Sequence, residues 1–197
     1  AYVLPGVLSH FRKEFPRIQV QLQCSLSTPL VKLVHRGEID VALVTRMNDF
    51  TGGQVVHREQ LIWITGENST AHEETPVPLA LLPPGNIFRD HALEAMDAAE
   101  SSWRIACISE SVSGLQAAVF SGMAVTVLGR HALVPGLREV APSQTFPVLP
   151  KVEMLLYKSQ AAVNPAARAL HEYLSFYLGS TSEEAQRAAP DLSGLFG

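Results

Sequence analysis

The sequence has few cysteines, no long apolar run and no excess of basic residues. Its 197 residues include two cysteines, and 15 Lys and Arg against 19 Asp and Glu give a net charge of -4 at pH 7. No stretch reaches the roughly 20 apolar residues that a membrane-spanning helix needs. Two cysteines are too few for a disulfide framework. Binding to a nucleic acid backbone needs a concentrated basic surface, which the net negative charge does not favour. These shortages argue against a membrane span, a disulfide scaffold and direct nucleic-acid binding by this chain.

The composition is that of a globular protein. Apolar residues make up 47% of the chain and charged residues 17%, which is enough for one large domain or two small ones. Cys24 and Cys107 lie in apolar, strand-like runs and are predicted to be small buried side chains in a reducing cytoplasm. The chain starts without Met, which predicts a fragment or a processed chain, and it shows no pattern of a signal peptide.

Residues 17–45 predict a strand, a helix and a second strand, the crossover unit of a parallel sheet. In "IQVQLQC" (18–24) apolar residues alternate with glutamines, which predicts a strand with one buried face. Ser27 or Thr28 can cap the following helix, and Gly37 suits its end. The apolar run "IDVALV" is typical of a strand buried on both faces. We expect the Asp40 carboxylate to bond backbone amides where this strand begins.

A second α/β unit follows a polar stretch, "STAHEETPVP" (69–78). "LALL", "WRIACI" and "AVTVL" predict strands, separated by helices that begin near Asn86 and end at Gly122. After an irregular stretch (135–150), "VEMLLY" predicts a strand and "NPAARALHEYLSFYL" a helix capped by Asn164. If these rejoin the first unit, two strands cross between two lobes that flank a ligand cleft. The predicted division is 1–66 with 152–178 as subdomain I, 67–151 as subdomain II, and 179–197 as a loosely held tail.

Several stretches together resemble one protein family. The order "LPGVLSHFRKEFPRIQVQLQCSLSTPLVKLVHRGEIDVALV" resembles the start of the effector-binding domain of LysR-type transcriptional regulators. "AAVFSGMAVTVL" and "PAARALHEYL" are similar to later segments of that domain, so that the likeness runs from residue 2 to about 178. "PVPLALLPPGNIFRDHALEAMDAAESSWRIA" looks closest to the LrhA/HexA-like branch. Two features depart from the family: Ala124 stands where Gly is usual, and the segment 66–76 is short and acidic.

The resemblance implies an α/β fold of two Rossmann-like subdomains joined by two crossover strands, the type 2 periplasmic-binding-protein-like architecture. It implies a cytoplasmic sensor that binds a small effector between its lobes, uses no cofactor and inserts in no membrane. It also implies pairing with itself as a homodimer, or a homotetramer in the full-length protein, and DNA binding through an N-terminal winged helix-turn-helix domain outside this chain. A periplasmic solute-binding protein of the same architecture is the alternative.

An enzyme is the other alternative, but the sequence offers no catalytic constellation. The seven histidines have no metal-ligand spacing, and no nucleophile elbow or phosphate loop occurs. We therefore expect a protein that is not an enzyme and holds no metal.

The candidate effector site consists of polar residues at three predicted helix starts, where free backbone amides favour an anion. Arg89 adds a planar guanidinium that can pair with a carboxylate. The alternatives are simple helix capping by the polar residues and a surface ion pair of Arg89 with Asp90 or Glu94. The candidate effector-binding residues are Ser27, Thr28, Asn86, Phe88, Arg89, Ser109, Ser111 and Ser113.

Overall fold

The computed structural model describes residues 3–162 and 164–179. The chain forms two compact units: unit 1 contains residues 1–58 and 153–197, and unit 2 contains residues 59–152. The chain leaves unit 1 within one long strand, β2 (Gln54–Gly66), and returns within β7 (Lys151–Lys158). The predicted tail lies outside the described residues from position 180 onward. The predicted subdomain boundaries at 66/67 and 151/152 stay a prediction.

Unit 1 packs helices on a short antiparallel ladder. β1 pairs with β7 over five residues, from Val41 opposite Lys158 to Thr45 opposite Met154. Its core joins the first and last helices, because the ring of Phe11 meets that of Tyr173 edge-on at 5.2 Å. The elements of unit 1 other than the two crossing strands are α1 (Val3–Glu14), α2 (Ser27–Arg36), β1 (Val41–Thr45) and α5 (Pro165–Gly179).

The prediction of a strand over residues 18–24 is wrong. This segment forms no ladder, and Val20 and Leu22 are 42% and 63% exposed. Cys24 is exposed and Cys107 is partly exposed, so neither cysteine is the buried side chain that was predicted. The alternating glutamines are fully solvated in this arrangement, while β1 bonds to the more apolar β7 instead. The predicted parallel crossover of residues 17–45 is therefore not formed.

The prediction that β1 is buried on both faces is also wrong. Its burial alternates between buried and half-buried residues, so that one face only is fully covered. The backbone carbonyl of Asp40 accepts a hydrogen bond from the Ser159 N–H at 2.8 Å. No bond from a backbone amide to the Asp40 carboxylate is found among the described residues. The strand entry is thus fixed by main-chain atoms, and the acid stays exposed.

Unit 2 contains the parallel sheet that the sequence predicts. β3 pairs in parallel with both β4 and β5, and β5 and β6 pair antiparallel with β2. β3 and β5 are buried at every residue, as expected for strands covered on both faces. β6 lies inside the stretch that was predicted to be irregular. The elements are β3 (Val77–Leu81), α3 (Ile87–Ala98), β4 (Trp103–Ile108), α4 (Val112–Phe120), β5 (Val125–Gly129) and β6 (Leu137–Glu139).

In the part of the chain that the structure describes, no helix combines the length and the hydropathy needed to cross a bilayer.

Candidate functional site

The first candidate cluster lies in unit 1, at the start of α2. The helix begins at Ser27, and the residue that precedes it, Leu26, offers no side-chain cap, so the predicted capping by Ser27 or Thr28 is wrong. The Ser27 hydroxyl instead accepts a hydrogen bond from the Thr45 N–H at 3.2 Å, which ties the helix start to the end of β1. Pro29 in the first turn has no N–H to offer a cap, which removes one reason for a capping side chain.

The backbone amides at this helix start are available. Within the described residues, the N–H groups of Ser27 and Thr28 have no hydrogen-bond partner. Free first-turn amides carry the partial positive charge of the helix dipole, so they attract an anion. Gly37 ends the same helix with a φ of 76°, as the sequence predicts, and its N–H bonds the carbonyl of Val34.

The second candidate cluster lies in unit 2, where β3 and β4 end side by side. Leu81 and Ile108 are paired in the parallel ladder, and the Ser109 N–H donates to the Leu81 carbonyl at 3.2 Å. The carbonyl of the next residue, Leu82, accepts a hydrogen bond from the Arg89 guanidinium at 3.2 Å. The starts of α3 and α4 therefore lie at the same edge of one sheet.

Both helix starts in unit 2 are capped as predicted. The Asn86 side chain accepts from the Phe88 N–H at 2.9 Å, and Ser111 accepts from the Gly114 N–H at 3.1 Å. Ser109 supports the second cap, since its hydroxyl donates to the Ser111 carbonyl at 3.0 Å. These caps occupy one amide in each first turn. In the described structure four amides there have no partner: those of Ile87, Arg89, Val112 and Ser113.

Arg89 is free of the acidic partners that the alternative interpretation proposed. The described residues contain no ion pair of Arg89 with Asp90 or Glu94; Glu94 lies 3.3 Å from His91 Nδ1 instead. Among the described residues the guanidinium bonds only the Leu82 carbonyl, which leaves most of its five donors unused. Arg89 is half-buried, so its side chain is in part open to solvent.

Apolar side chains accompany the polar ones at this edge. Ile108 is 55% exposed and Val112 is 40% exposed, directly before and after the serine-bearing turn. Phe88 is half-buried in the first turn of α3. The unit 2 cluster thus offers amide and guanidinium donors beside apolar surface, which suits an organic acid better than a bare inorganic ion.

One charged cluster in unit 1, formed by Arg46, Arg58 and Glu153, was not predicted from the sequence. Glu153 on β7 accepts from Arg46 Nε at 2.8 Å and from Arg58 Nη2 at 2.9 Å. These hydrogen bonds, that of Arg58 first, hold the pKa of the Glu153 carboxyl below its ordinary value, against a smaller opposing effect of desolvation. The only sequence signal was an acid inside the apolar run "VEMLLY", because its partners are far away along the chain.

A shallow cavity in unit 2 lies away from all the predicted site residues. It has a volume of about 240 Å³. Its polar groups already have partners: Arg130 and Glu139 form two hydrogen bonds of 2.6 and 3.0 Å, and Gln60 donates to the Leu149 carbonyl. We therefore place the candidate site at the helix starts and not here. The lining comprises residues 60–63, Arg130, Glu139, Val140, Pro142 and 147–149.

The comparisons with known proteins identify the family. Residues 1–177 match the family described as LysR substrate binding domain. Because the match covers most of the chain, the chain belongs to that family, the effector-binding domain of LysR-type transcriptional regulators. The resemblance inferred from the sequence is confirmed at this level.

Two regulators illustrate the sequence relationship. The chain is 30% identical over 153 residues to the HTH-type transcriptional regulator DgdR of Burkholderia cepacia, covering 78% of this chain and 52% of the regulator. It is 24% identical over 168 residues to the HTH-type transcriptional regulator PecT of Dickeya dadantii (strain 3937), covering 85% and 53%. The chain spans about half the length of both. These relatives are regulators, not periplasmic solute-binding proteins, so they disfavour the alternative considered above.

Solved structures confirm the predicted two-subdomain α/β fold. The regulatory domain of Synechocystis PCC6803 CcmR, in complex with 2-PG, superposes with a TM-score of 0.70 at 17% identity, covering 88% of this chain and 90% of that one. The reduced OxyR regulatory domain from Pseudomonas aeruginosa gives a TM-score of 0.64 at 19% identity, covering 90% and 91%. At such identities the likeness concerns the fold alone.

Proposed function

We propose that this domain senses a small organic anion for a cytoplasmic LysR-type regulator, and that helix-start amides and Arg89 supply the donors that bind it. The observation that carries the proposal is the set of six first-turn amides at the starts of α2, α3 and α4 that have no partner among the described residues, together with an Arg89 that has no acidic partner among them. The proposed contact residues are those predicted from the sequence: Ser27, Thr28, Asn86, Phe88, Arg89, Ser109, Ser111 and Ser113.

Regulation requires that the effector favour one state of the domain. An anion that bound two states equally would change nothing, however tightly it bound. A tenfold shift needs about 1.4 kcal/mol of differential affinity, which one charge-assisted hydrogen bond can supply. DNA binding belongs, in this proposal, to an N-terminal winged helix-turn-helix domain in the part of the protein outside this chain.

Self-association is a further part of the proposal. The outer side of α4 carries exposed apolar residues, Phe120 at 50% and, just past the helix, Met123 at 56%. Such side chains are commoner in interfaces than on free surfaces. We propose that α4 and the outer edge of α1 form a homodimer interface, and that the full-length protein is a homotetramer. Sedimentation of this domain tests the dimer: Phe120→Glu should give monomers, and a wild type that is monomeric at micromolar concentration would contradict it.

We also propose that the protein belongs to the LrhA/HexA-like branch and has no enzymatic activity. The branch is supported by the likeness of residues 76–106. The absence of activity is supported by the regulator relatives and by the site itself. Hydrogen-bond donors and apolar surface dominate the helix-start clusters, and no nucleophile there lies beside a base that could activate it.

The effector proposal is tested by titrating a panel of small mono- and dicarboxylic acids and measuring affinity by calorimetry. Arg89→Ala and Thr28→Val should each weaken binding of a hit at least tenfold while the circular dichroism spectrum is unchanged. Arg104→Ala is the matched control, because Arg104 is an exposed arginine of unit 2 that faces Glu74 at 3.4 Å. Unchanged affinity in both test variants would show that the pocket lies elsewhere.

A further inference from the structure

The cluster of Arg46, Arg58 and Glu153 in unit 1 has an unbalanced charge. One carboxylate is shared between two guanidiniums: Arg46 contributes one bond through Nε, and Arg58 contributes bonds through Nε and Nη2 at 3.1 and 2.9 Å. Two positive charges and one negative charge leave a net charge of +1 on groups that touch each other. Such an excess favours the approach of another anion.

Arg46 has donors to offer that anion. A guanidinium has five N–H donors, and in the described structure Arg46 uses only the one on Nε. Its two terminal nitrogens form the planar fork that matches the oxygens of a carboxylate or a phosphate. The Arg46 side chain is 37% exposed, so part of it is open to solvent.

The cluster is also held in place by main-chain bonds. The Arg46 N–H donates to the Glu153 carbonyl at 2.8 Å, which continues the ladder of β1 and β7 beyond its last pair. Arg46 also acts on Tyr157: burial raises the pKa of the Tyr157 hydroxyl, and the positive charge of Arg46 opposes that rise. A guanidinium fixed at its backbone and at Nε loses little freedom when it binds a ligand.

We propose that the Arg46–Arg58–Glu153 cluster is a second anion site, where the terminal nitrogens of Arg46 bind a small oxyanion, carboxylate or phosphate, against the repulsion of the neighbouring Glu153 carboxylate. This site does not rest on the proposed effector site, since it uses side-chain guanidiniums and no helix start. An ordinary structural ion pair makes the opposite prediction about Glu153, and that difference can be measured.

The test is titration of the domain with inorganic phosphate, and separately with acetate, at constant ionic strength set with sodium chloride. Affinity is read from thermal shifts and checked by calorimetry. Arg46→Gln should abolish the binding. Arg36→Gln should retain it, because Arg36 is an exposed arginine of the same unit, 3.8 Å from Glu38. Glu153→Gln should bind about fivefold tighter, because the negative charge that repels the incoming anion is gone.

Preference for phosphate or for acetate identifies which oxyanion the site takes, and tighter binding by Glu153→Gln separates a ligand site from a structural ion pair. The proposal would be overturned if neither anion binds more than chloride does, or if Arg46→Gln still binds. It would also be overturned if Glu153→Gln binds no better than the wild type, a comparison that decides the matter if Arg46→Gln does not fold. Loss of binding in Thr28→Val would contradict a site separate from α2, whereas failure of the effector titrations alone would leave this site intact.

Discussion

The two units differ in the strands that surround their helix starts. In unit 2, α3 and α4 follow strands that pair in parallel, and the central β3 is buried at every residue. In unit 1, α2 follows an extended segment without a ladder and precedes β1, which pairs antiparallel with β7. The helix starts of unit 2 are thus fixed by a buried sheet. In unit 1, a hydrogen bond from the Thr45 N–H to the Ser27 hydroxyl ties the helix start to β1, and buried residues such as Leu30 pack the helix.

The comparison shows that helices of this domain begin either with or without a side-chain cap. Ser111 and Asn86 each bond an amide of their own helix, and each capped start still has two amides without a partner among the described residues, as the uncapped α2 does. The start of α2 has no cap, and its two free amides are adjacent in sequence. We expect the helix starts of unit 2 to be the more rigid ones and the start of α2 to be the less constrained one.

The largest expected effect contrasts a core strand with the unpaired segment. Leu79 in β3 has no exposed surface, so Leu79→Ala should lower the free energy of unfolding by about 2–5 kcal/mol. The matched leucine of unit 1 is Leu22, which is 63% exposed. Leu22→Ala should change the free energy of unfolding by less than about 0.5 kcal/mol. Urea unfolding followed by circular dichroism measures both.

Leu22→Ala is the variant that decides whether residues 18–24 are solvated. A loss above about 1.5 kcal/mol would mean that residues 18–24 form a buried strand after all, and the contrast between the units would disappear. A small loss would confirm that the alternating pattern here is solvated.

Much of unit 2 could be predicted from the sequence because its signals are local. Continuous apolar runs such as "LALL" and "AVTVL" indicate buried strands, and Asn86 and Gly122 mark helix ends by their own backbone chemistry. The pairing of β1 with β7 could not be predicted, since it joins segments more than 100 residues apart. Similar separations along the chain, of 107 and 95 residues, hid the bonds of Glu153 to Arg46 and Arg58.

The candidate site was predictable only in part. Residue types typical of helix starts located Asn86 and Ser111 correctly. They misplaced the role of Ser27, because a hydroxyl near a helix start can bond a neighbouring strand as easily as its own helix. Whether Arg89 pairs with an acid depends on side-chain packing, and no spacing along the chain reveals it.

The capped and uncapped helix starts differ by a smaller expected effect. Ser111→Ala removes the bond to the Gly114 amide and should cost about 1 kcal/mol of unfolding free energy. Thr28→Val keeps the shape of the side chain at a helix start without a cap, and should cost less than about 0.5 kcal/mol. Equal losses in the two variants, measured by thermal unfolding, would mean that Thr28 caps its helix in solution.

The smallest effect concerns acid stability in unit 1. The arginines lower the folded-state pKa of Glu153 below its ordinary value of 4.5, so its ion pairs stabilise the fold above that pH. This contribution is lost as the pH falls through the lowered pKa, because the protonated acid no longer pairs. Glu153→Gln should therefore lower Tm at about pH 7 and match the wild type more closely at about pH 3. A Tm difference that is the same at both values would contradict this assignment.

The most direct test of the central claim is an amide NMR titration of the domain with the tightest-binding acid of the carboxylate panel. If the free helix-start amides bind the effector, the signals of Ser27 and Thr28, and separately those of Val112 and Ser113, should shift with dissociation constants that match the calorimetric value. Shifts confined to residues 60–63, beside the shallow cavity, or no shift at either cluster while the acid binds, would contradict it.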